Sequence, residues 1–140
     1  MLSITAYLTL DGTAKDAIAF YEQALGAKVI SQMSFGEMPE TPEYPISEDI
    51  KDRISHAMIQ IGESQLMFSD TFPGQPVTPG NLISLCITAD GFEKSKKLFD
   101  ALANGGQVLM PFQETFFSPG YGSVVDKFGV NFQVFTESNH

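Results

Sequence analysis

Hydrophobic and polar positions along this chain run through one programme twice. Displaced by 79 positions, Ile4 to Ile30 falls on Ile83 to Leu109 without a gap. Ile4 meets Ile83, Thr9 meets Thr88, Asp11-Gly12 meets Asp90-Gly91, Phe20 meets Phe99 and Gly26 meets Gly105. Such self-similarity precedes every other reading, because it sets the architecture. In the first copy Ser3 to Leu10 alternates loosely and predicts a strand. Thr13 is placed to cap a helix, with Asp16 three residues on favouring its positive end. Ala14, Ala17, Ile18, Tyr21 and Leu25 recur at helical spacing. Gly26 is placed to end that helix in the left-handed conformation. Lys28 to Phe35 returns as strand. Ile54 to Ile61 and Ser64 to Ser69 predict a hairpin turning at Gly62-Glu63.

The second copy repeats the order. Asn81 to Ala89 predicts a strand, and Asp90 with Glu93 a capping-box-like helix start. Phe92, Leu98, Phe99 and Leu102 make the stripe to be buried, and Gly105-Gly106 ends the helix. Gln107 to Thr115 is strand, and Phe116 to Gly122 reads as a glycine-rich aromatic loop. Ser123 to Asp126 and Val130 to Thr136 predict a last hairpin, turning near Phe128-Gly129. The result is β-α-β-β-β twice. Two stretches break the pattern. Met38 to Asp52 carries Pro39, Pro42, Pro45 and five acids without periodicity, and predicts a mobile loop, a lid or a dimer arm. Thr71 to Gly80, with three more prolines, is the linker.

At 140 residues and 43% hydrophobic, the chain is sized for one domain, residues 1–140. Module one is expected over about 1–72 and module two over about 80–137. The net charge of -9 repels phosphate backbones, so no nucleic-acid partner is expected. The one cysteine, Cys86, sits in the apolar run Leu82 to Ile87 and is expected to be a buried, inert thiol. No apolar run approaches the about 18 residues of a membrane span, and no signal segment is seen at the N-terminus. A cytoplasmic location without membrane contact is the expectation.

Local words then carry a resemblance. They are Tyr7 to Gly12, Ala17 to Tyr21, Ser34-Phe35-Gly36-Glu37-Met38-Pro39, His56-Ala57, Ser69-Asp70, Gln113-Glu114-Thr115-Phe116 and Asp126-Lys127-Phe128-Gly129-Val130. With the repeat, they make the chain similar to the PhnB-like proteins of the vicinal oxygen chelate superfamily, the glyoxalase and bleomycin-resistance fold. The resemblance covers nearly the whole chain. It implies an α+β fold in which tandem βαβββ modules form a cupped, mixed eight-stranded sheet. Dimers are usual in the superfamily, so a homodimer is expected. Superfamily enzymes hold a divalent metal in the cup, with His and Glu ligands from the first and last strands of each module.

This chain departs from that ligand pattern. The first strand has no ionisable ligand, and Ser64 to Ser69 offers only Gln65. Asn81 to Ala89 offers only Cys86, and the superfamily glutamate position resembles Gln133, a neutral amide. No metal and no other cofactor is expected. The candidate ligand-binding residues are His56, Asp70, Glu114, Phe117, Tyr121 and Gln133. His56, the interior histidine, shares a face by alternation with Ile54, Met58 and Gln60; it is either a structural residue or a polar group in the cup. Asp70 is either a turn aspartate or a carboxylate at the cup mouth. Glu114 is either an exposed strand-end charge or a ligand contact. Phe117 and Tyr121, with Phe116, close over a pocket or pack in a dimer interface. Gln133 is expected to face the cup, because Val130, Phe132 and Val134 form the opposite, apolar face.

PhnB-like proteins have been labelled demethylubiquinone methyltransferases, yet no glycine-rich nucleotide turn supports that chemistry here. The first functional reading is a glyoxalase-fold protein that binds a small molecule without the usual metal set. A metal-dependent lyase or isomerase with ligands such as His56 and Glu114 is the second. A bleomycin-resistance-type dimer that sequesters a drug is the third. The sequence leaves open whether any reaction is catalysed.

Overall fold

The computed structural model describes residues 1–39, 46–72 and 74–137. Two compact units divide the chain, Met1–Thr78 and Pro79–His140. In chain order the first holds β1 (Ala6–Leu10), α1 (Ala14–Leu25), β2 (Lys28–Ser34), a 3-10 turn at Phe35–Glu37, β3 (Ile54–Ile61) and β4 (Ser64–Asp70). The second holds β5 (Leu85–Asp90), α2 (Phe92–Ala103), β6 (Gln107–Thr115), β7 (Ser118–Val125) and β8 (Asn131–Glu137). The tandem βαβββ order is the one the repeat predicts. Each unit builds its own four-stranded mixed sheet, ordered β1-β4-β3-β2 and β5-β8-β7-β6. In both sheets the first and last strands of the module run parallel, and the remaining pairs are antiparallel. The parallel pair requires a crossover, and the helix supplies it.

Alternation divides each sheet into two faces. In the first unit Leu10, Ala57, Ile59, Leu66 and Phe68 are buried, together with Ala14, Ala17, Ile18 and Tyr21 of α1. Tyr21 packs on Phe68 with ring centroids 5.9 Å apart. Burial of each large side chain here contributes about 1.5–3 kcal/mol. In the second unit Phe99 and Leu102 of α2 and Ala89, Val124, Phe132 and Val134 of the sheet are buried. The opposite face of each sheet carries no helix of its own module; His56 lies on that open face in the first unit, and Tyr121 and Gln133 in the second.

Several local expectations are corrected. Gly26 does end α1 with φ of 68°. Thr13, however, makes no side-chain cap. Asp70 takes that task from the end of β4: its Oδ1 accepts from the N–H groups of Gly12 (2.9 Å) and Ala14 (3.1 Å). A carboxylate at the helix start also meets the positive end of the helix. The capping box at Asp90 and Glu93 does not form; Gly91 precedes α2 without a side-chain cap. Phe92 is 40% exposed, outside the core it was expected to join.

The expected loop at 116–122 is mostly strand. Phe116 and Phe117 make the turn, and β7 begins at Ser118. Gly120 and Gly122 lie inside β7 because α2 and β6 press on them. An added Cβ would stand 2.6 Å from Phe112 Cζ at Gly120 and 2.7 Å from Phe99 Cε2 at Gly122. Glycine is therefore required for close packing, and the usual reading of glycine clusters as loops fails. Of the proline-rich loop Met38 to Asp52, residues 40–45 lie outside the described residues. Ile50 of its second half is buried.

Candidate functional site

The open face of the second sheet brings three of the six candidates together. Tyr121 on β7 and Gln133 on β8 are joined by a hydrogen bond, the phenol O–H donating to Gln133 Oε1 at 2.6 Å. Gln133 Nε2 donates in turn to Ser84 Oγ at 2.9 Å, just before β5. Register explains the convergence. Gln133 pairs with Cys86 on one side and Ser123 on the other, and Tyr121 pairs with Phe135. Phe132 and Val134, the neighbours of Gln133, point into the core, as their alternation with Gln133 predicts. Ser84 was missed by the sequence reading, since a lone serine ahead of a strand carries no pattern.

An aromatic group borders this polar chain. Phe117 meets Tyr121 edge-on at 5.0 Å and stacks nearly parallel on Phe135 at 6.2 Å. Phe116 extends the group, edge-on to Phe117 at 5.2 Å, and is exposed. The arrangement offers flat apolar surface beside an amide and two hydroxyls. Glu114 is exposed on β6, between the paired positions Gln113 and Thr115, where the register with β7 shifts.

His56 belongs to the other unit. It pairs with Met33 across β2 and β3, and its ring lies 6.0 Å from that of Tyr7. Tyr7 pairs with Met67, and Met67 with Met58, so the open face of the first sheet is a half-exposed patch of histidine, tyrosine and methionine. Ile54, expected to share that face, is buried; a register shift against β2 separates it from His56.

Asp70 does not face either surface. It is 6% exposed, and besides the two bonds at α1 its Oδ2 accepts from the N–H of Ile54 at 2.9 Å. All its geometry serves the backbone, as in a turn aspartate. Cys86 is also corrected: it is exposed. The apolar run around it suggested burial, but its strand alternates, and Cys86 takes the open face beside Gln133.

A family profile described as 3-demethylubiquinone-9 3-methyltransferase matches residues 2–135. The chain belongs to this family, the PhnB-like proteins. Protein YjdN of Escherichia coli K12 is 35% identical over 139 residues, covering 95% of this chain and 94% of YjdN. Protein PA1353 from Pseudomonas aeruginosa shares 34% identity, with a TM-score of 0.86 over 99% of this chain and 100% of that one. A putative 3-demethylubiquinone-9 3-methyltransferase, PhnB protein, from Bacillus cereus shares 25%, with a TM-score of 0.80 over 97% and 100%. A glyoxylase/bleomycin resistance protein/dioxygenase domain from Frankia sp. EAN1pec has the same fold, at a TM-score of 0.70 over 100% of this chain and 96% of that one, with 13% identity.

The fold implies a divalent metal, and the side chains of this PhnB-like protein can be tested for it. Among the described residues no three His, Cys, Asp or Glu side chains come together. Gln133, at the position resembling the superfamily glutamate, has its oxygen engaged by Tyr121 and its nitrogen by Ser84. A neutral amide so engaged lacks the charge a hard or borderline ion needs. Among the described residues the donor set does not fit such an ion. Among the described residues no helix is long and apolar enough to cross a membrane.

Proposed function

We propose that this PhnB-like protein binds a small organic molecule on the open face of its second sheet, without the metal set of glyoxalase-fold enzymes. The observation that carries this reading is the Tyr121–Gln133–Ser84 chain set against Phe117 and Phe135. Convergent polar groups within aromatic surface are the usual make-up of a ligand site. Glu114 lies at its edge, exposed to water. His56, paired with Tyr7, supplies a second polar surface in the first unit.

The methyl transfer named in the family description draws little support from this chain. A nucleotide-type methyl donor is commonly held at a glycine-rich turn between strand and helix. Between β1 and α1 the turn has one glycine, Gly12, and the Asp70 carboxylate already takes its N–H and that of Ala14.

A thermal-shift screen with small metabolites tests the main reading, since a ligand that binds only the folded state raises its melting temperature. Tyr121→Phe and Gln133→Ala are expected to weaken the shift of any hit about tenfold in affinity. A hit unaffected by both variants would place binding elsewhere. Protein purified without an affinity tag is expected to show sub-stoichiometric metal and no stabilisation by Ni²⁺, Zn²⁺ or Mn²⁺. Stabilisation by one of these ions would return the metal-dependent reading.

The same proposal extends to a second copy of the chain. β2 and β6 are each one of the two outer strands of their sheets, and both expose apolar side chains: Val29, Ile30 and Met33, and Val108, Leu109 and Met110. Open edges of this kind are pairing surfaces. A homodimer that covers one of them is the state expected in solution.

A further inference from the structure

We infer that the ligand of the second sheet's open face is an uncharged aromatic or conjugated carbonyl compound; this rests on the binding reading above and adds its chemical class. The exclusion of charge follows from the strands. The middle of that face, as the pairings require, presents Cys86 and Thr88 of β5, Gln133 and Phe135 of β8, and Tyr121 and Ser123 of β7, with Met110 and Gln113 of β6 beside them. None is Asp, Glu, Lys, Arg or His. Asp90 and Glu137, cross-strand partners, carry the same alternation on to the rim of the face; they and Glu114, at the β6 register shift, are exposed, and water screens them. A charged ligand resting on this surface would give up hydration without meeting a counter-charge. In the middle of the face a phosphonate or carboxylate finds no base, and a quaternary or amidinium group finds no acid.

The carbonyl follows from hydrogen-bond directions. Tyr121 spends its proton on Gln133 Oε1, and Gln133 spends one amide proton on Ser84 Oγ. Ser84 is thereby an acceptor, and a hydroxyl that accepts still has its own proton to give. Gln133 retains a second N–H. The chain therefore ends in donors, which call for an acceptor on the ligand. Phe117 and Phe135, 6° from parallel, present flat surface on which a planar group stacks. Planar, neutral and acceptor-bearing together describe an aryl or conjugated carbonyl.

Three near-isosteric probes separate the charge states: benzamide, benzamidine hydrochloride and phenylphosphonate. Each is titrated into the full-length protein, and resonances of Phe117, Tyr121, Phe135 and the Gln133 side-chain amide are followed by NMR. Benzamide is expected to shift these signals with an affinity at least tenfold above the other two. Ser84→Ala and Gln133→Leu are expected to abolish that preference, and the unchanged dispersion of the remaining spectrum reports that both variants fold. Equal or tighter binding of benzamidinium or phenylphosphonate overturns the assignment of class, as does the absence of any benzamide shift on this face. If compounds from the metabolite screen perturb these same residues while the preference is absent, the class alone falls. If nothing in that screen perturbs them, the binding reading falls with it.

Discussion

Asp70 shows how one side chain can hold a module together. Its carboxylate accepts from the backbone of Gly12, Ala14 and Ile54, tying the turn after β1, the start of α1 and the start of β3. Arg53 reinforces the same corner, donating to the Thr71 carbonyl at 2.8 Å and to Asp11 Oδ1 at 3.0 Å. Three charge-assisted bonds lost at once leave buried donors unsatisfied, so Asp70→Ala is expected to lose about 3 kcal/mol in a urea unfolding titration. Displacement by the repeat carries Leu10 to Ala89, and the cross-strand partners of these two are Asp70 and Thr136. The second copy thus has a threonine where the first has its aspartate. Thr136 is 1% exposed, and its Oγ1 has no hydrogen-bond partner among the described residues. Removing an unmatched hydroxyl at constant volume costs little, so Thr136→Val is expected to stay within about 0.5 kcal/mol of the parent or to exceed it. A loss of about 2 kcal/mol would mean that the hydroxyl has a bonding role. On the open face, Tyr121→Phe removes one bond to Gln133 and is expected to lower stability by about 1 kcal/mol in the same titration.

Among the elements, β7 decides how the second unit packs. Gly122 is squeezed by Phe99 and by the backbone of β6, and Gly106 lies under β7, where an added Cβ would stand 2.2 Å from the Val125 carbonyl oxygen. Backbone cannot rotate aside, so Gly106→Ala is expected to destabilise by about 3 kcal/mol and Gly122→Ala by about 1–3 kcal/mol. Gly80 has nothing within 4 Å and no positive φ, and Gly80→Ala serves as the neutral control; equal losses at all three would contradict this account. The same glycines mark where the sequence misleads. Strands whose alternation is filled by apolar and polar side chains, such as β3, β4 and β6, were legible to within a residue. β7 was half lost because Pro119, Gly120 and Gly122 look like a loop until the helix above them is known. The helix caps were misjudged for a related reason. Local spacing offered Thr13 and Asp90 as caps, whereas the residue that does the work in the first module lies 56 positions away. Within the site, alternation gave Gln133 its face and the aromatic cluster was visible as a word. The link to Ser84, and the separation of Asp70 from any ligand surface, needed strand pairing.

At the scale of the whole molecule, the duplication is complete in topology and incomplete in chemistry. Both sheets have the same strand order. Yet the open face of the first gathers His56, Tyr7 and methionines, and that of the second gathers an amide, hydroxyls and phenyl rings. The outer strands β2 and β6 kept their exposed apolar side chains in both copies, which suits self-association. Light scattering is expected to give twice the chain mass, and Leu109→Glu or Ile30→Glu to shift that value toward the monomer; a monomeric parent would remove the proposal. The unequal anchoring at the two helix starts has its own signature in time. When the protein is transferred to deuterated water, the amides of Gly12 and Ala14, held by the aspartate, should keep their hydrogens longer than those of Gly91 and Glu93. The second half would then loosen first at the mouth of its helix, close to the strand that carries Gln133.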